Sequence, residues 1–239
     1  MGAFVSPEPP HPEKCVEVTV KVKICGVRTP AIIDVAAEAS ADYVGLVFFP
    51  RSPRCLKPDA ARTLAAAAKG RIETVAVLVD PDDALIDFVV ERVRPDLIQL
   101  HGSETPKRAA AIRARAGLPL LKAIAVAEAG DTAKASAYRG IADLILFDAK
   151  PDPAAILPGG NGVPFDWTLL SGAGVERPFA LSGGLTAANV GEAVSATHAS
   201  LVDVSSGVEG APGEKDANLV QEFIRAAKST DTQARAKAS

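Results

Sequence analysis

The chain has 239 residues, of which 48% are hydrophobic, 5% are aromatic and 23% are charged, and its formal net charge at pH 7 is −3. This length suits one large domain, and the small net charge without a dense Lys/Arg cluster disfavours nucleic acid as a partner. No run approaches the roughly 18 uninterrupted apolar residues of a membrane span. We therefore expect a single domain that acts on a small molecule.

Residues 1–18 contain four prolines and no apolar stretch of the kind found in signal peptides, so we expect a disordered arm without a targeting role. The three cysteines, Cys15, Cys25 and Cys55, are odd in number and lack paired spacing, which favours a reducing cytoplasm over a disulfide framework. There is no CxxC pair, and the histidines lie far apart in sequence. We predict no metal and no cofactor.

Eight apolar runs, rich in β-branched residues, predict strands in chain order. They are Val18–Cys25, Tyr43–Phe49, Ile72–Val79, Leu97–Leu100, Pro119–Val126, Asp143–Asp148, Phe179–Leu181 and Leu201–Val204. Helical patterns separate them, and the strands recur at spacings of roughly 20 to 30 residues. Strict alternation predicts a parallel sheet, and eight repeats predict that residues 19–228 form a closed α/β barrel, the (β/α)8 TIM barrel.

Helix starts are predicted where proline follows a polar residue, at Thr29-Pro30 and Lys57-Pro58. Asp80-Pro81 and Thr186 are predicted to cap the helices after the third and seventh strands. The closing helix is predicted over Asp216–Lys228, and residues 229–239 are predicted to be a flexible tail.

Small polar residues and glycines follow the seventh and eighth strands, in the turns Ser-Gly-Gly and Ser-Ser-Gly. Exposed backbone amides in such turns, close to a helix N-terminus, form a favourable environment for a phosphate group. In (β/α)8 barrels the loops after these two strands commonly bind phosphate. The predicted phosphate-binding residues are Gly183, Gly184, Ser205, Ser206 and Gly207.

Cys25 and Asp148 end the first and sixth strands, at the rim where catalysis occurs in this fold. The apolar run before Asp148 favours a protonated acid, and a local positive field would make Cys25 a thiolate base. An acid and a base without a metal suit proton transfer, as in sugar isomerisation. Two alternatives remain: Cys25 as a small buried hydrophobe, and Asp148 as a turn cap.

Four other polar residues at this rim are predicted to bind substrate. Arg54 is placed to pair with a substrate carboxylate, or is a solvated loop charge. Asp203 precedes the serine turn, where a sugar hydroxyl would lie, or bonds the barrel backbone. Gln99 and His101 end the fourth strand, and His101 has the alternative of a core histidine bonded to backbone.

Taken together, the motifs resemble the phosphoribosylanthranilate isomerase family, often called TrpF. They run in family order over nearly all of the predicted barrel: KICGVRTP (23–30), YVGLVFFPRSPR (43–54), VAVLVD (75–80), IQLHGSE (98–104), LFDAK (146–150), PFDW (164–167), LSGGLTAANV (181–190) and VDVSSGVEGAPGEKD (202–216). The resemblance implies a cofactor-independent Amadori rearrangement of N-(5-phosphoribosyl)anthranilate in tryptophan biosynthesis. Monomers and homodimers both suit the fold.

By motif position, the resemblance implies that Cys25 is the general base and Asp148 the general acid. It also implies that Arg54 contacts the anthranilate carboxylate, that Asp203 lies near the ribose hydroxyls, and that the amides of the two glycine turns hold the phosphate.

Two other functions are considered. One is a different phosphosugar isomerase, of the kind with an Asp on the first strand and a second phosphate turn after the third. Here the first strand ends in Cys25, and Val79-Asp80 follows the third without paired glycines. The other is an inactive phosphate-binding barrel that serves as a partner subunit. The presence of Cys25, Asp148 and Arg54 argues against it.

Overall fold

The computed structural model describes residues 20–150, 166–171 and 178–238, and the predicted arm at 1–18 lies outside them. Eight parallel strands form a closed barrel in the order β1 to β8, so that β8 pairs with β1. The predicted (β/α)8 barrel is confirmed. The strands are β1 (Lys21–Cys25), β2 (Tyr43–Val47), β3 (Glu73–Leu78), β4 (Leu97–Leu100), β5 (Leu120–Val126), β6 (Leu144–Ala149), β7 (Phe179–Leu181) and β8 (Leu201–Val204).

Helices follow the strands around the outside. They are α1 (Pro30–Glu38), α2 (Pro58–Ala68), α3 (Asp83–Phe88), α4 (Pro106–Ala116), α5 (Ala129–Thr132), α6 (Thr168–Ser171), α7 (Val190–Thr197) and α8 (Ala217–Ala238). A π-helical turn (Val89–Val93) extends α3, and a 3-10 turn (Ala133–Tyr138) extends α5. After β8 come a 3-10 turn (Ser206–Val208) and a hairpin of β9 (Glu209–Ala211) and β10 (Glu214–Lys215).

Two predicted helix caps are wrong. Asp82, rather than Asp80-Pro81, caps α3, because its Oδ1 accepts the amide of Leu85 at 2.8 Å. Asp80 instead has a positive φ of 44° and accepts the amide of Ser103. After β7, Thr186 lies in a turn closed by Asn189, whose Oδ1 accepts the Thr186 amide at 2.7 Å, and α7 begins only at Val190.

The last helix is longer than predicted, since α8 continues past Lys228 to Ala238. Lys228 fixes this helix to the start of the barrel. Its ammonium lies 3.0 Å from the carbonyl oxygen of Val20 and 2.8 Å from Oδ2 of Asp42. The C-terminal helix therefore covers the seam where β8 meets β1.

Alternation along each strand separates two apolar layers. The larger layer lies between strands and helices and includes Ile24, Leu46 and Phe147. A smaller layer fills the barrel interior and consists of Leu121, Ala123, Leu146, Ala180 and Leu201. Each fully buried aliphatic side chain of this size stabilises the fold by about 1.5–3 kcal/mol. Because the interior is filled below, the polar interior residues sit at the rim above it.

Candidate active site

Cys25 and Asp148 face the barrel interior at the same rim. Each lies two residues beyond an interior position, Lys23 on β1 and Leu146 on β6, and side chains two apart share a face of a strand. Both strands are parallel, so both residues stand at carboxyl ends. Cys25 is 8% exposed and Asp148 is 3% exposed. The strands between them along one side of the barrel are β7 and β8, which carry the glycine turns.

Cys25 shares its corner of the barrel with a buried ion pair. Nζ of Lys23 lies 2.8 Å from Oδ1 of Asp203, with both side chains almost fully buried. Gly45 on β2 leaves room for this group, since a Cβ there would lie 2.9 Å from Sγ of Cys25 and 3.3 Å from Nζ of Lys23. The thiol and the ammonium therefore converge on one small space above Gly45.

Charge and burial act in opposite directions on the thiol. Burial raises the pKa of Cys25, while the ammonium groups of Lys23 and Lys215 favour the thiolate; burial prevails and the pKa lies above its usual value. For Lys23, burial alone would lower the pKa, but Asp203 and Cys25 outweigh it and raise the pKa. Lys23 therefore stays charged beside the thiol.

Arg54 is held by a carboxylate that the sequence analysis missed. Its Nε and one terminal nitrogen donate to Glu209 at 2.7 and 2.8 Å, and Arg54 is only 6% exposed. Lys215 lies 2.6 Å from the same carboxylate. Burial opposes ionisation of Glu209, but hydrogen bonds from the two cations prevail and lower its pKa to about 2. The solvated-loop alternative for Arg54 is wrong.

Lys215 links this cluster to the end of β8. Its ammonium lies 2.9 Å from the carbonyl oxygen of Ser205, whose hydroxyl donates to the carbonyl of Cys25 at 3.2 Å. Burial lowers the pKa of Lys215, and Glu209 partly restores it. The β9–β10 hairpin, which supplies both Glu209 and Lys215, therefore supports the ends of β8 and β1 at once.

Asp148 is part of a row of three side chains. Its Oδ1 accepts the amide of Ala149 at 2.9 Å, and its Oδ2 lies 3.1 Å from Nε2 of His101. Nδ1 of His101 lies 2.7 Å from the amide nitrogen of Gln99. Gln99 is fully buried, so it supports His101 from below and has no surface to offer a substrate. His101 bonds side chains at the rim rather than core backbone.

The two glycine turns pack against each other. Gly183 has a φ of +91°, and a Cβ there would lie 2.7 Å from the amide nitrogen of Ala149. A Cβ on Gly207 would overlap the carbonyl oxygen of Leu185. Ser205, Ser206, Gly183 and Gly184 are all partly exposed. The turns after β7 and β8 thus form one continuous, partly exposed surface of small residues between Asp148 and Cys25.

A second buried ion pair supports the loop that carries His101. Nζ of Lys122 lies 2.8 Å from Oε2 of Glu104. The Glu104 carboxylate also accepts the amides of Gly102 and Asp80. The loops after β3 and β4 are therefore fixed to each other beneath the rim.

A cleft of about 1120 Å³ lies at the opposite end of the barrel, lined by strand starts such as Tyr43 and Glu73 and by α2. That end of a (β/α)8 barrel contributes stability rather than chemistry, so we place the site at the other rim.

Within the described ranges, no three His, Cys, Asp or Glu side chains group as metal ligands do. Likewise, no described helix is long and apolar enough to cross a bilayer.

Three residues of the site were not predicted from the sequence: Lys23, Glu209 and Lys215. The sequence contains one signal for Lys23. It is a charged residue two positions before Cys25 in a predicted strand, so the two side chains lie on the same face. The only sequence signal near Glu209 and Lys215 is the turn Ala-Pro-Gly between them. It indicates a hairpin but does not reveal that the hairpin contacts Arg54.

A closed (β/α)8 barrel with ionisable groups and glycine turns at one rim belongs to the class of barrel enzymes that carry their site on strand ends. A family model described as N-(5'-phosphoribosyl)anthranilate isomerase matches residues 22–226. The chain belongs to this family, and it is an isomerase.

Similar proteins and similar solved structures carry the same family name. The chain is 54% identical over 209 residues to an isomerase of this name from Paramagnetospirillum magneticum, covering 87% of this chain and 97% of the relative. It is 49% identical over 216 residues to the isomerase of this name from Brucella canis, covering 90% of this chain and 97% of the relative. The crystal structure of the Thermotoga maritima enzyme matches with a TM-score of 0.79 and 35% identity, over 88% of this chain and all of that one.

Another similar crystal structure is that of a phosphoribosyl anthranilate isomerase in complex with reduced 1-(o-carboxyphenylamino)-1-deoxyribulose 5-phosphate. It matches with a TM-score of 0.77 and 33% identity, over 88% of this chain and 100% of that chain.

Proposed function

We propose that this chain converts N-(5-phosphoribosyl)anthranilate into 1-(2-carboxyphenylamino)-1-deoxyribulose 5-phosphate, with Asp148 as acid and Cys25 as base. The main observation in support is that β6, β7, β8 and β1 are neighbours in this order around the barrel. A phosphate on the turns after β7 and β8 would leave the attached sugar between Asp148 and Cys25. The ligand of the related crystal structure, a reduced form of this product, supports the substrate class.

Phosphate binding is assigned to the amides of Gly183, Gly184, Ser206 and Gly207 and to the serine side chains of the second turn. The close packing of Gly207 against the backbone of Leu185 supports this, because it brings the two turns together. Amides that point at one anion bind it without a basic side chain.

The reaction begins at Asp148. Its proton passes to the ring oxygen of the ribose, the bond from that oxygen to C1′ breaks, and the electrons of the anthranilate nitrogen form the C=N bond of a Schiff base. The carboxylate that results keeps the amide of Ala149 and His101 as partners. Stabilising charge that develops in the transition state accelerates this step.

Cys25 then removes the proton from C2′ as a thiolate, and the electrons move into C1′=C2′ and neutralise the iminium nitrogen. The product is an enolamine, which tautomerises to the ketone, so the overall change is an isomerisation without net redox chemistry. Lys23 and Lys215 favour the thiolate against its burial. Each such proton transfer contributes about 10²–10⁴ to the rate.

Arg54 is proposed to bind the anthranilate carboxylate. Glu209 holds its guanidinium edge-on through Nε and one terminal nitrogen. A guanidinium is a planar fork of N–H donors that suits carboxylate recognition. Asp203 is proposed to lie near the ribose hydroxyls, although Lys23 occupies its Oδ1. Gln99 and His101 are reassigned from direct substrate contact to support of Asp148.

We also propose a cytoplasmic location, because the described cysteines Cys25 and Cys55 are free thiols and a catalytic thiol needs a reducing compartment. Monomer and homodimer both remain compatible with the fold, and sedimentation of the purified chain distinguishes them.

The test is loss of authentic substrate with the wild type and five variants. Cys25→Ala and Asp148→Asn are expected to lower kcat at least 100-fold, and Arg54→Ala to raise KM with a smaller change in kcat. Cys55→Ser and Arg51→Ala are the matched controls and keep wild-type values. The absence of wild-type turnover would refute the function. Near-normal kcat in Cys25→Ala or Asp148→Asn would refute that residue's role.

A further inference from the structure

Gln99 has a buried amide that the reaction does not use directly. Its nitrogen lies 2.7 Å from Nδ1 of His101, and its Oε1 is buried without a hydrogen-bond partner among the described residues. A buried polar atom left unpaired costs about 1–3 kcal/mol. Such a cost at the floor of a site calls for an explanation in terms of function.

The explanation lies in the protons of His101. A neutral imidazole has one N–H donor and one acceptor nitrogen. An amide nitrogen can only donate, so with the Gln99 amide in this orientation Nδ1 accepts from it and the ring proton lies on Nε2. Nε2 lies 3.1 Å from Oδ2 of Asp148 and therefore donates to it. The amide of Ala149 donates to the other oxygen.

We propose that Gln99 is a positioning residue that fixes His101 as the Nε2–H tautomer, so that His101 stabilises the carboxylate formed when Asp148 gives up its proton. This rests on the proposed role of Asp148 as general acid. A ring ether oxygen is a weak base, and an acid whose anion is already hydrogen-bonded twice transfers its proton to it more readily. The hydrogen bond from His101 strengthens as charge develops on Asp148.

The opposite tautomer would act against the reaction. With the proton on Nδ1, the lone pair of Nε2 would face Oδ2, and the new carboxylate would lose one of its two donors. Gln99 is itself fully buried, so water does not reach its amide. A single amide therefore decides which way His101 points its proton.

The tautomer is measured by 15N NMR of the imidazoles in the intact chain. The chain has three histidines, so His11→Asn and His198→Asn assign the other two signals. At His198, asparagine suits the positive φ of 52°. We expect wild-type His101 to show a protonated Nε2 and an unprotonated Nδ1. The reverse pattern in the wild type would overturn the proposal without bearing on the acid role of Asp148.

Gln99→Met and Gln99→Glu test the consequence. Met removes both the donor and the unpaired acceptor, so thermal stability is expected to be kept or raised while kcat falls about 10- to 100-fold at unchanged KM. Glu accepts from Nδ1–H and is expected to move the NMR pattern toward Nδ1 protonation, with a similar loss of kcat. Wild-type kcat in a folded Gln99→Met would overturn the proposal. Full activity of Asp148→Asn would instead refute the acid on which it rests.

Discussion

Arg54 and Glu209 are joined by two hydrogen bonds of 2.7 and 2.8 Å although 155 residues separate them in sequence. Both side chains are almost fully buried, and Lys215 adds a third bond to the same carboxylate. This geometry fixes the guanidinium at the rim before any substrate arrives. The predicted anthranilate contact thus depends on a carboxylate supplied by a hairpin on the other side of β1.

Glu209→Gln is expected to destabilise the fold at neutral pH and to raise KM. The folded-state pKa of about 2 lies below the usual value of 4.5, so the stabilisation is complete above pH 4.5 and is lost as pH falls through about 2. Urea unfolding at several pH values measures this. The wild type and variant are expected to differ at pH 7 and to converge at pH 2. Glu214→Gln, at an exposed position, is the control. A difference in unfolding free energy between the wild type and Glu209→Gln that stays constant down to pH 2 would contradict the prediction.

Lys23→Met is expected to lower the free energy of unfolding by roughly 3–5 kcal/mol, because it leaves the Asp203 carboxylate buried and unpaired. Lys23→Met with Asp203→Leu should recover most of this loss, since no charge then remains unpaired. Urea titration of the three proteins gives the comparison. A single variant as stable as the wild type would mean that Asp203 has another donor.

The rate at which iodoacetamide alkylates Cys25, followed by peptide mass spectrometry, is expected to rise with pH into the alkaline range. Only the thiolate reacts, and burial raises the pKa of Cys25 above the usual 9.0, so the alkylation rate increases as pH passes through that raised value. Lys215→Met removes a positive charge near the thiol and is expected to move the profile to higher pH. Cys55→Ser serves as control and leaves it unchanged. A midpoint near pH 7 would contradict the burial of the thiol.

Gly45→Ala is expected to reduce kcat at least 10-fold with little loss of secondary structure. The new Cβ would stand 2.9 Å from Sγ of Cys25, so the thiol must move away from the position it shares with Lys23, and small misplacements at a reacting group are costly. Steady-state kinetics and circular dichroism measure the two effects. Gly130→Ala is the matched control, because nothing lies within 4 Å of its added Cβ. Equal kcat values for the two variants would refute the argument.

Much of the barrel could be predicted because its strands are local apolar runs. The predicted bounds of β4, β7 and β8 match the structure, and Cys25 and Asp148 reach one rim as expected. Parallel alternation fixes which end of each strand carries chemistry, and this requires no knowledge of distant contacts.

The remaining features depend on partners that sequence spacing does not reveal. Asp80 was predicted to cap a helix, but Gly102 approaches it closely and its side chain bonds the next loop. Thr186 was predicted as a cap, but Asn189 closes the turn first. Lys23 and Asp203 meet across 180 residues. Buried charges of this kind are set by the closure of the barrel.

The seam between β8 and β1 also constrains how the chain becomes active during synthesis. Cys25 leaves the ribosome early. At that stage β1 has only β2 beside it, and Lys23 has not yet met Asp203, the carboxylate with which it forms an ion pair. Asp203 lies 180 residues after Lys23 and emerges late, followed by Lys215. Lys228 fixes the last helix to the start of the barrel only at the end. An unfinished chain therefore carries the proposed base without the two lysines and the buried setting that act on it, and we expect isomerisation only after translation has supplied the final strand and hairpin.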